Sequence, residues 1–207
     1  MNSHPPSDLS LPDQEILVQK LDCIRVQGRD RRGNKVILVI GKHFPGRVLS
    51  PHVLAKFLEE VVIPRLSGRN PISLLYVHTG VQKSDDFLGL SVLRSIYEAF
   101  PADVKDRLQT IYYLHPGLQA RLLLAVFGRV ILPVGVYAKM KYVNRVEFLW
   151  DHLRRAEIDL PEFVYDHDED TEFRPIVDYG PESDKSRSYC GACSDNSLSS
   201  YSMRCIA

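Results

Sequence analysis

Two histidines occupy matching places in the sequence. Residues 74–80 read LLYVHTG and residues 111–117 read IYYLHPG, so His78 and His115 each follow an apolar run typical of a buried strand. Open α/β sheets bind ligands beyond the carboxyl ends of their strands, so both imidazoles are predicted to border one site. Such a pair could perform acid–base chemistry or bind a metal. The alternative is that each imidazole only satisfies nearby backbone groups.

Other sequence patterns do not support an enzyme or a metalloprotein. The sequence contains no nucleophile elbow, GxGxxG, P-loop or HExxH motif. Residues 166–170 (DHDED) lack the glycine-punctuated spacing of a calcium loop, which favours a solvated acidic tail. Cys190 and Cys193 form a single CxxC pair without the second pair of a zinc site. We therefore expect no catalytic residue, no metal and no cofactor.

The most apolar segment follows the second histidine. Residues 118–130 are predicted to form a helix, and residues 122–127 (LLLAVF) within it are all apolar. Six consecutive apolar residues cover the whole circumference of a helix, so Arg121 and Arg129 leave only a narrow charged edge. Such a helix is either buried on all sides or has one side against lipid, as a tail in a cavity or as a membrane surface.

Charge is balanced overall but unevenly distributed. The chain has 26 basic and 26 acidic residues, so no global field favours nucleic acid. Residues 115–155 hold seven Lys and Arg against two acidic residues, whereas residues 156–184 hold eleven Asp and Glu against Arg174 alone. The basic segment coincides with the apolar helix, which suits contact with anionic headgroups. The alternative is a solvated basic edge that pairs with the acidic segment.

Hydrophobic periodicity predicts an α/β fold. Residues 23–27 and 36–40 read as a hairpin, because the glycine-bounded polar residues 28–34 lie between them. Later strands alternate with helices, which predicts a mixed, largely parallel sheet covered by helices. The predicted later elements are a helix from Ser50–Pro51 to Pro64, a strand at 72–77, a helix ending at Phe100, strands at 111–114 and 142–143, and a helix at 145–153 with Phe148, Leu149 and His152 or Leu153 inward.

The two ends of the sequence differ in composition from its middle. Residues 1–13 are predicted to be a flexible tail, residues 14–170 a domain, and residues 171–207 a disordered, serine-rich tail. No apolar run reaches the roughly 20 residues that span a bilayer, and no signal peptide is recognised. We expect a cytoplasmic protein with reduced thiols, in transient contact with membranes.

Several segments together resemble a known family. Residues 28–41 (GRDRRGNKVILVIG), 72–80 (ISLLYVHTG), 110–117 (TIYYLHPG) and 139–144 (KMKYVN) are similar in order and spacing to a CRAL-TRIO domain. The sequence is most similar to the divergent, BCH-type domains of Rho-GTPase-activating and scaffold proteins. The resemblance covers roughly residues 21–166, and Leu160–Pro161 with Tyr165–Asp166 matches the closing segment of that subclass.

The resemblance implies an α/β/α sandwich with a movable apolar gate helix at residues 118–136. In lipid-transfer members this helix swings to admit one lipid, whose tails fill the cavity and whose headgroup lies near the mouth. The candidate cavity and gate residues are Tyr76, His78, Tyr113, His115, Leu122, Leu123, Val126, Phe127 and Val130. The candidates for facing a membrane or a headgroup are Arg121, Arg129, Lys139 and Lys141.

Three functions follow from these patterns. The first is a non-catalytic module that holds a phospholipid or another hydrophobic ligand behind the gate helix. The second is a protein-interaction module that binds small Rho-type GTPases or further copies of itself. The third is a hydrolase-like site at His78 and His115.

Overall fold

Strands alternate with helices along most of the chain. The computed structural model describes residues 9–66, 68–81, 86–132 and 135–172, without the side chains of residues 86–90, 127, 129–131 and 172. These residues belong to one unit, Met1–Phe173. The helices are α1 (Leu11–Leu21), α2 (Pro51–Phe57), α3 (Asp86–Ala99), α4 (Ala102–Arg107), α5 (Leu118–Ile131), α6 (Val146–Leu149) and α7 (Glu162–Glu172), and the strands are β1 (Ile24–Arg29), β2 (Lys35–Ile40), β3 (Ile72–Val77), β4 (Leu108–Leu114) and β5 (Met140–Val143).

The strands form one sheet in the order β1-β2-β3-β4-β5. β1 and β2 are antiparallel, because a short turn joins them. The pairs β2–β3, β3–β4 and β4–β5 are parallel. Parallel neighbours need long crossovers, and helices α2, α3 and α5 lie in the three crossover segments. The predicted mixed, largely parallel sheet covered by helices is therefore confirmed.

Both faces of the sheet are buried, and they are covered in different ways. One face packs against helices α1 to α5 and includes Tyr76, Tyr113 and Leu124. The other includes Leu38, which packs under residues of α6, α7 and the chain between them. Because side chains alternate across a strand, neighbouring β2 residues divide between the two cores. The second face is thus covered by residues 146–164, which have little regular structure.

A buried carboxylate organises the turn between β1 and β2. Asp30 accepts hydrogen bonds from the backbone amides of Arg32 and Asn34, from the Asn34 side chain and from the Ser73 hydroxyl, at 2.8–2.9 Å. Asp30 also pairs as an isolated antiparallel bridge with Leu153. These bonds satisfy a buried charge that would otherwise be costly, and they join the turn to β3.

Some element boundaries differ from the predicted ones. Helix α1 begins at Leu11, inside the predicted N-terminal tail, because the Ser10 side chain accepts from the Asp13 amide. Helix α4 was not predicted, and β4 begins three residues earlier than expected. Beyond α2 the helix continues as a π-helical turn, Leu58–Val62, and a 3-10 turn, Ile63–Leu66.

The segment after β5 differs most from the prediction. Helix α6 is a single turn, in which Val146 and Leu149 face the sheet and Phe148 is 54% exposed instead of inward. Leu153 is buried beyond the helix, as predicted. The acidic run after Asp166, interpreted as a solvated acidic tail, is helical and continues α7 to Glu172. The predicted disordered segment beyond residue 172 lies outside the described residues.

Loss of the Asp30 carboxylate is expected to destabilise the fold strongly. Asp30→Ala would leave the Ser73 hydroxyl and three donors of the turn without their acceptor, at about 1–3 kcal/mol for each buried group. Urea unfolding of Asp30→Ala should show a loss of about 3 kcal/mol or more. The exposed Asp103→Ala is the control, and an equal effect of both changes would contradict this role for Asp30.

Candidate functional site

The two predicted histidines lie at adjacent strand ends. Tyr76 is opposite Tyr113 in the parallel pair of β3 and β4, so His78 and His115 follow at matching positions. The backbone amide of His78 donates to the Leu114 carbonyl oxygen at 3.1 Å. Both side chains are buried, but they leave the sheet in different directions. His78 stays with the aromatic residues under α5, whereas His115, whose φ is 53°, contacts Thr79 and α7.

The His115 ring links three elements through hydrogen bonds. Its Nδ1 lies 2.7 Å from the Thr79 hydroxyl, and its Nε2 lies 2.9 Å from Oδ1 of Asp168. Oδ2 of Asp168 accepts from the Val146 backbone amide at 2.7 Å. Because a carboxylate only accepts, Nε2 carries a proton and donates to it, whereas the Thr79 hydroxyl can donate to Nδ1 or accept from it. The chain of bonds joins β3, β4, α6 and α7.

Burial keeps the His115 ring neutral. The pKa of His115 is lowered from 6.5 to about 4, chiefly by burial and to a smaller extent by the nearby charge of His167. The charge of Asp168 and its hydrogen bond act in the opposite direction but do not outweigh the burial. The rings of His115 and His167 have their centroids 4.8 Å apart. In the neutral ring, whose proton lies on Nε2, Nδ1 accepts from the Thr79 hydroxyl.

Threonine, histidine and aspartate are the residue types of a nucleophile, a base and an orienting acid. Here, however, the Thr79 residue is only 2% exposed, and only 1% of the His115 side chain is exposed. A substrate has no access to a hydroxyl buried in this way, so the arrangement fastens α7 to the sheet. The interpretation of residues 166–170 as a solvated acidic tail is wrong for Asp168, which the sequence did not distinguish from its acidic neighbours.

A stack of aromatic rings lies on the helical face of the sheet. Tyr76 and Tyr113 are stacked with centroids 5.2 Å apart, and the His78 ring lies 5.2 Å from that of Tyr113. Tyr142 of β5 makes an edge contact with Tyr113 at 6.3 Å. Tyr76, His78 and Tyr113 are buried, and they form a floor on the face that α5 covers. The structure therefore groups three of the predicted cavity residues.

Helix α5 has two different apolar edges. Ala120, Leu124 and Gly128 are buried, and a Cβ at Gly128 would lie 2.8 Å from the Tyr137 ring, so this edge packs closely. The opposite edge exposes three large apolar side chains one turn apart, and we call them the outer ridge. The outer ridge consists of Leu118 (65% exposed), Leu122 (57%) and Val126 (69%).

The remaining predicted residues of α5 are divided between these edges. Leu123 is half-buried and packs against the core. Leu122 and Val126 face outward in this conformation and do not line a closed interior. The side chains of Phe127, Val130 and Arg129 lie outside the described residues.

The predicted basic residues with described side chains, Arg121, Lys139 and Lys141, do not form one surface. Arg121 is exposed on α5, near Tyr142, whose pKa burial raises and the Arg121 charge partly lowers. Lys139 is half-buried and donates to the Lys105 carbonyl oxygen at 3.3 Å. Lys141 is exposed in β5, but because neighbouring strand residues alternate, it points to the face opposite Tyr142. Arg121 is thus the basic residue that accompanies the outer ridge.

The described residues contain neither a cluster of three metal ligands nor a helix that could span a membrane. No group of three or more His, Cys, Asp or Glu side chains there is arranged to hold a metal ion. None of the described helices combines the length and the apolar character needed to cross a membrane. The outer ridge, in contrast, places three exposed large apolar side chains on one helix.

Comparison with known proteins identifies relatives of this architecture. The model of the divergent CRAL/TRIO domain family matches residues 33–170. The chain is 26% identical over 151 residues to the protein GDAP2 homolog of Drosophila melanogaster, covering 73% of this chain and 27% of that protein. It is 26% identical over 153 residues to Rho GTPase-activating protein 1 of Homo sapiens, covering 73% of this chain and 34% of that protein. The chain thus spans about a third or less of these relatives.

Protonation of His115 is expected to make stability fall in acid. Because its folded pKa of about 4 lies below the ordinary 6.5, the unfolded chain takes up a proton first as the pH falls. The stabilisation is fully present above pH 6.5 and is lost between pH 6.5 and 4, by about 3 kcal/mol at most. Urea unfolding at several pH values should show this slope in the native chain, reduced in His115→Gln and retained in the exposed His52→Gln. A slope that persists in His115→Gln would contradict the assignment.

Proposed function

The chain belongs to the divergent CRAL/TRIO domain family, and we propose that it is a non-catalytic lipid-binding module whose helix α5 is the lipid-contacting element. The family supports a lipid-binding type of module, since its model matches residues 33–170. The proposal adds that the ligand is a phospholipid or another hydrophobic molecule held between α5 and the aromatic floor. It also places the protein in the cytoplasm, in peripheral contact with membranes.

The outer ridge is the observation that carries this proposal. Leu118, Leu122 and Val126 are spaced by four residues, so they form one stripe along the exposed side of α5. Soluble monomers seldom expose contiguous apolar stripes without a partner. Burial of one such side chain in an apolar medium contributes about 1.5–3 kcal/mol. Arg121 on the same helix can meet an anionic headgroup at the membrane surface.

The inner edge of α5 supports the gate interpretation. Leu124, which lies between Ala120 and Gly128 on this buried edge, belongs to the same core as Tyr76 and Tyr113, and outward movement of α5 would open an apolar space there. The helix is preceded by Gly117, and Gly135 follows it with φ of 93°. Glycines at both ends allow the backbone to change direction where α5 would pivot.

The contacts of His115 support a function without catalysis. The third hypothesis placed a hydrolase-like site at His78 and His115, but His78 packs among tyrosines and His115 is engaged by Thr79 and Asp168. Both histidines therefore have structural surroundings, and neither is exposed to a substrate. We accordingly propose that the module binds and does not transform its ligand.

The outer ridge is expected to control binding to lipid vesicles. Leu122→Ser with Val126→Ser should weaken co-sedimentation with vesicles at least tenfold, since two apolar contacts of about 1.5–3 kcal/mol each are removed. Both side chains are exposed, so thermal unfolding should change little. Leu11→Ser with Ile16→Ser removes two equally exposed apolar side chains from α1 and should leave binding unchanged. Equal loss in both double variants would refute a specific role for α5.

The same assay separates charge from apolar contact. Arg121→Glu should weaken binding to phosphatidylserine vesicles at low salt, whereas Lys141→Glu, on the opposite face of β5, should have a smaller effect.

Native mass spectrometry should show one lipid retained per chain and released on denaturation. If no lipid is retained and no vesicle is bound, the lipid proposal fails.

The second candidate is a BCH-type protein-interaction module. Its support is that relatives of this chain are named Rho GTPase-activating proteins, although the chain covers only 20–37% of them. A hydrophobic stripe flanked by an exposed arginine also suits a protein partner. On this alternative, α5 would bind a small Rho-type GTPase or a second copy of the chain.

Binding assays without lipid are expected to distinguish this candidate. Purified Rho-type GTPases, loaded with GDP or with a GTP analogue, should then bind the chain with micromolar affinity, and Leu122→Ser with Val126→Ser should abolish binding. Sedimentation equilibrium of the chain alone tests self-association with the same variant pair. A monomer that ignores every GTPase but binds vesicles would exclude this alternative.

A further inference from the structure

A basic groove lies at the end of the sheet opposite to the histidines. It has a volume of about 310 Å³ and is lined by Val26, Gly28, Arg29, Lys35, Arg65 and Glu157. Lys35 is the first residue of β2, whereas Thr79 and His115 follow the last residues of β3 and β4, which run parallel to β2. The groove is therefore separate from α5 and from the strand-end histidines.

The backbone fixes the positions of the groove residues. The Lys35 ammonium donates to the Arg65 carbonyl oxygen at 2.6 Å, which holds the 3-10 turn Ile63–Leu66 beside β2. Gly28 has φ of 66°, and a Cβ there would lie 2.7 Å from the Glu157 carbonyl oxygen. The Arg154 amide donates to the Arg29 carbonyl oxygen at 3.1 Å. The groove is thus built by three chain segments that are tied together.

The charges in the groove are unequally compensated. Within the described part of the chain, the guanidinium groups of Arg29 and Arg65 make no hydrogen bond or ion pair. The Glu157 carboxylate, in contrast, is already engaged by Arg154 at 3.0 Å. Two guanidiniums without a protein acceptor therefore border a concave space next to a lysine. Each guanidinium carries five N–H donors, and two of them can bind two oxygens of one phosphate group at the same time.

We propose that this groove binds a small, multiply charged phosphate anion through Arg29, Arg65 and Lys35. Its volume is at the lower end of the range of small-molecule pockets, which suits a pyrophosphate or a sugar phosphate more than an extended chain. Soluble phosphates and the phosphorylated headgroup of a lipid offer the same chemistry. The proposal uses no residue of α5 and is independent of the lipid-binding function proposed above.

Isothermal titration of the full chain with sodium pyrophosphate at low salt tests the proposal. We expect saturable binding below millimolar concentration, weakened at least tenfold in Arg29→Gln and in Arg65→Gln. Glu157→Gln should tighten binding, because it removes the carboxylate that lines the groove. Arg69→Gln, an exposed arginine near Arg65 that does not line the groove, should change the affinity less than twofold. Arg29→Gln and Arg65→Gln should each also reduce the salt dependence of binding.

Two further titrations identify the source of the phosphate. The first uses inositol trisphosphate, a soluble lipid headgroup. If its affinity falls in Arg29→Gln and Arg65→Gln as that of pyrophosphate does, the site also accepts a soluble headgroup. Vesicles with phosphorylated inositol lipids should then compete with pyrophosphate if the site also accepts the headgroup in a membrane. No binding of pyrophosphate below millimolar concentration would overturn the proposal. Equal weakening by Arg69→Gln and Arg65→Gln would overturn it too, as would vesicle binding that no soluble phosphate reproduces.

Discussion

A parallel sheet must be covered on both faces, and this constraint governs the rest of the structure. Crossover helices cover one face, but the other is covered by residues 146–164, which contain only short helical segments. Such a segment forms few hydrogen bonds of its own and needs anchors. Asp30 holds the turn that pairs with Leu153 in the middle of this segment, and the contact between His115 and Asp168 holds α7, which continues beyond it. Hydrogen bonds of buried polar groups thus hold residues 146–164 against the second face of the sheet.

These anchors give the most reactive-looking residues of the sequence a structural role. The ring of His115 has both nitrogens engaged, and its neutral form is set by burial in the protein interior. The polar residues at the strand ends therefore contribute to cohesion. Among the described residues, the outer ridge of α5 is exposed, and the guanidiniums of Arg29 and Arg65 make no hydrogen bond or ion pair.

Two surfaces of opposite character, each proposed to contact a ligand, lie at separate places on one sheet. The outer ridge is apolar with a single arginine, whereas the groove is polar and cationic. A net charge of zero hides this division, because the acidic residues concentrate elsewhere in the chain. Apolar burial and phosphate binding depend differently on salt, so the two surfaces can be studied independently. A lipid-binding module with a distant anion site could respond to two different ligands.

The sequence by itself determined the alternation of strands and helices, because the hydrophobic period and the turn residues are local signals. The hairpin, the central strand at 72–77 and the apolar helix all follow from them, and so does the mixed sheet. The same residues could not show which side of α5 is buried, because a helix that is apolar all round carries no direction. Only packing against the sheet divided Leu124 from Leu122. Likewise, Asp168 gained its partner only through tertiary structure, since its partner His115 is 53 residues away along the chain.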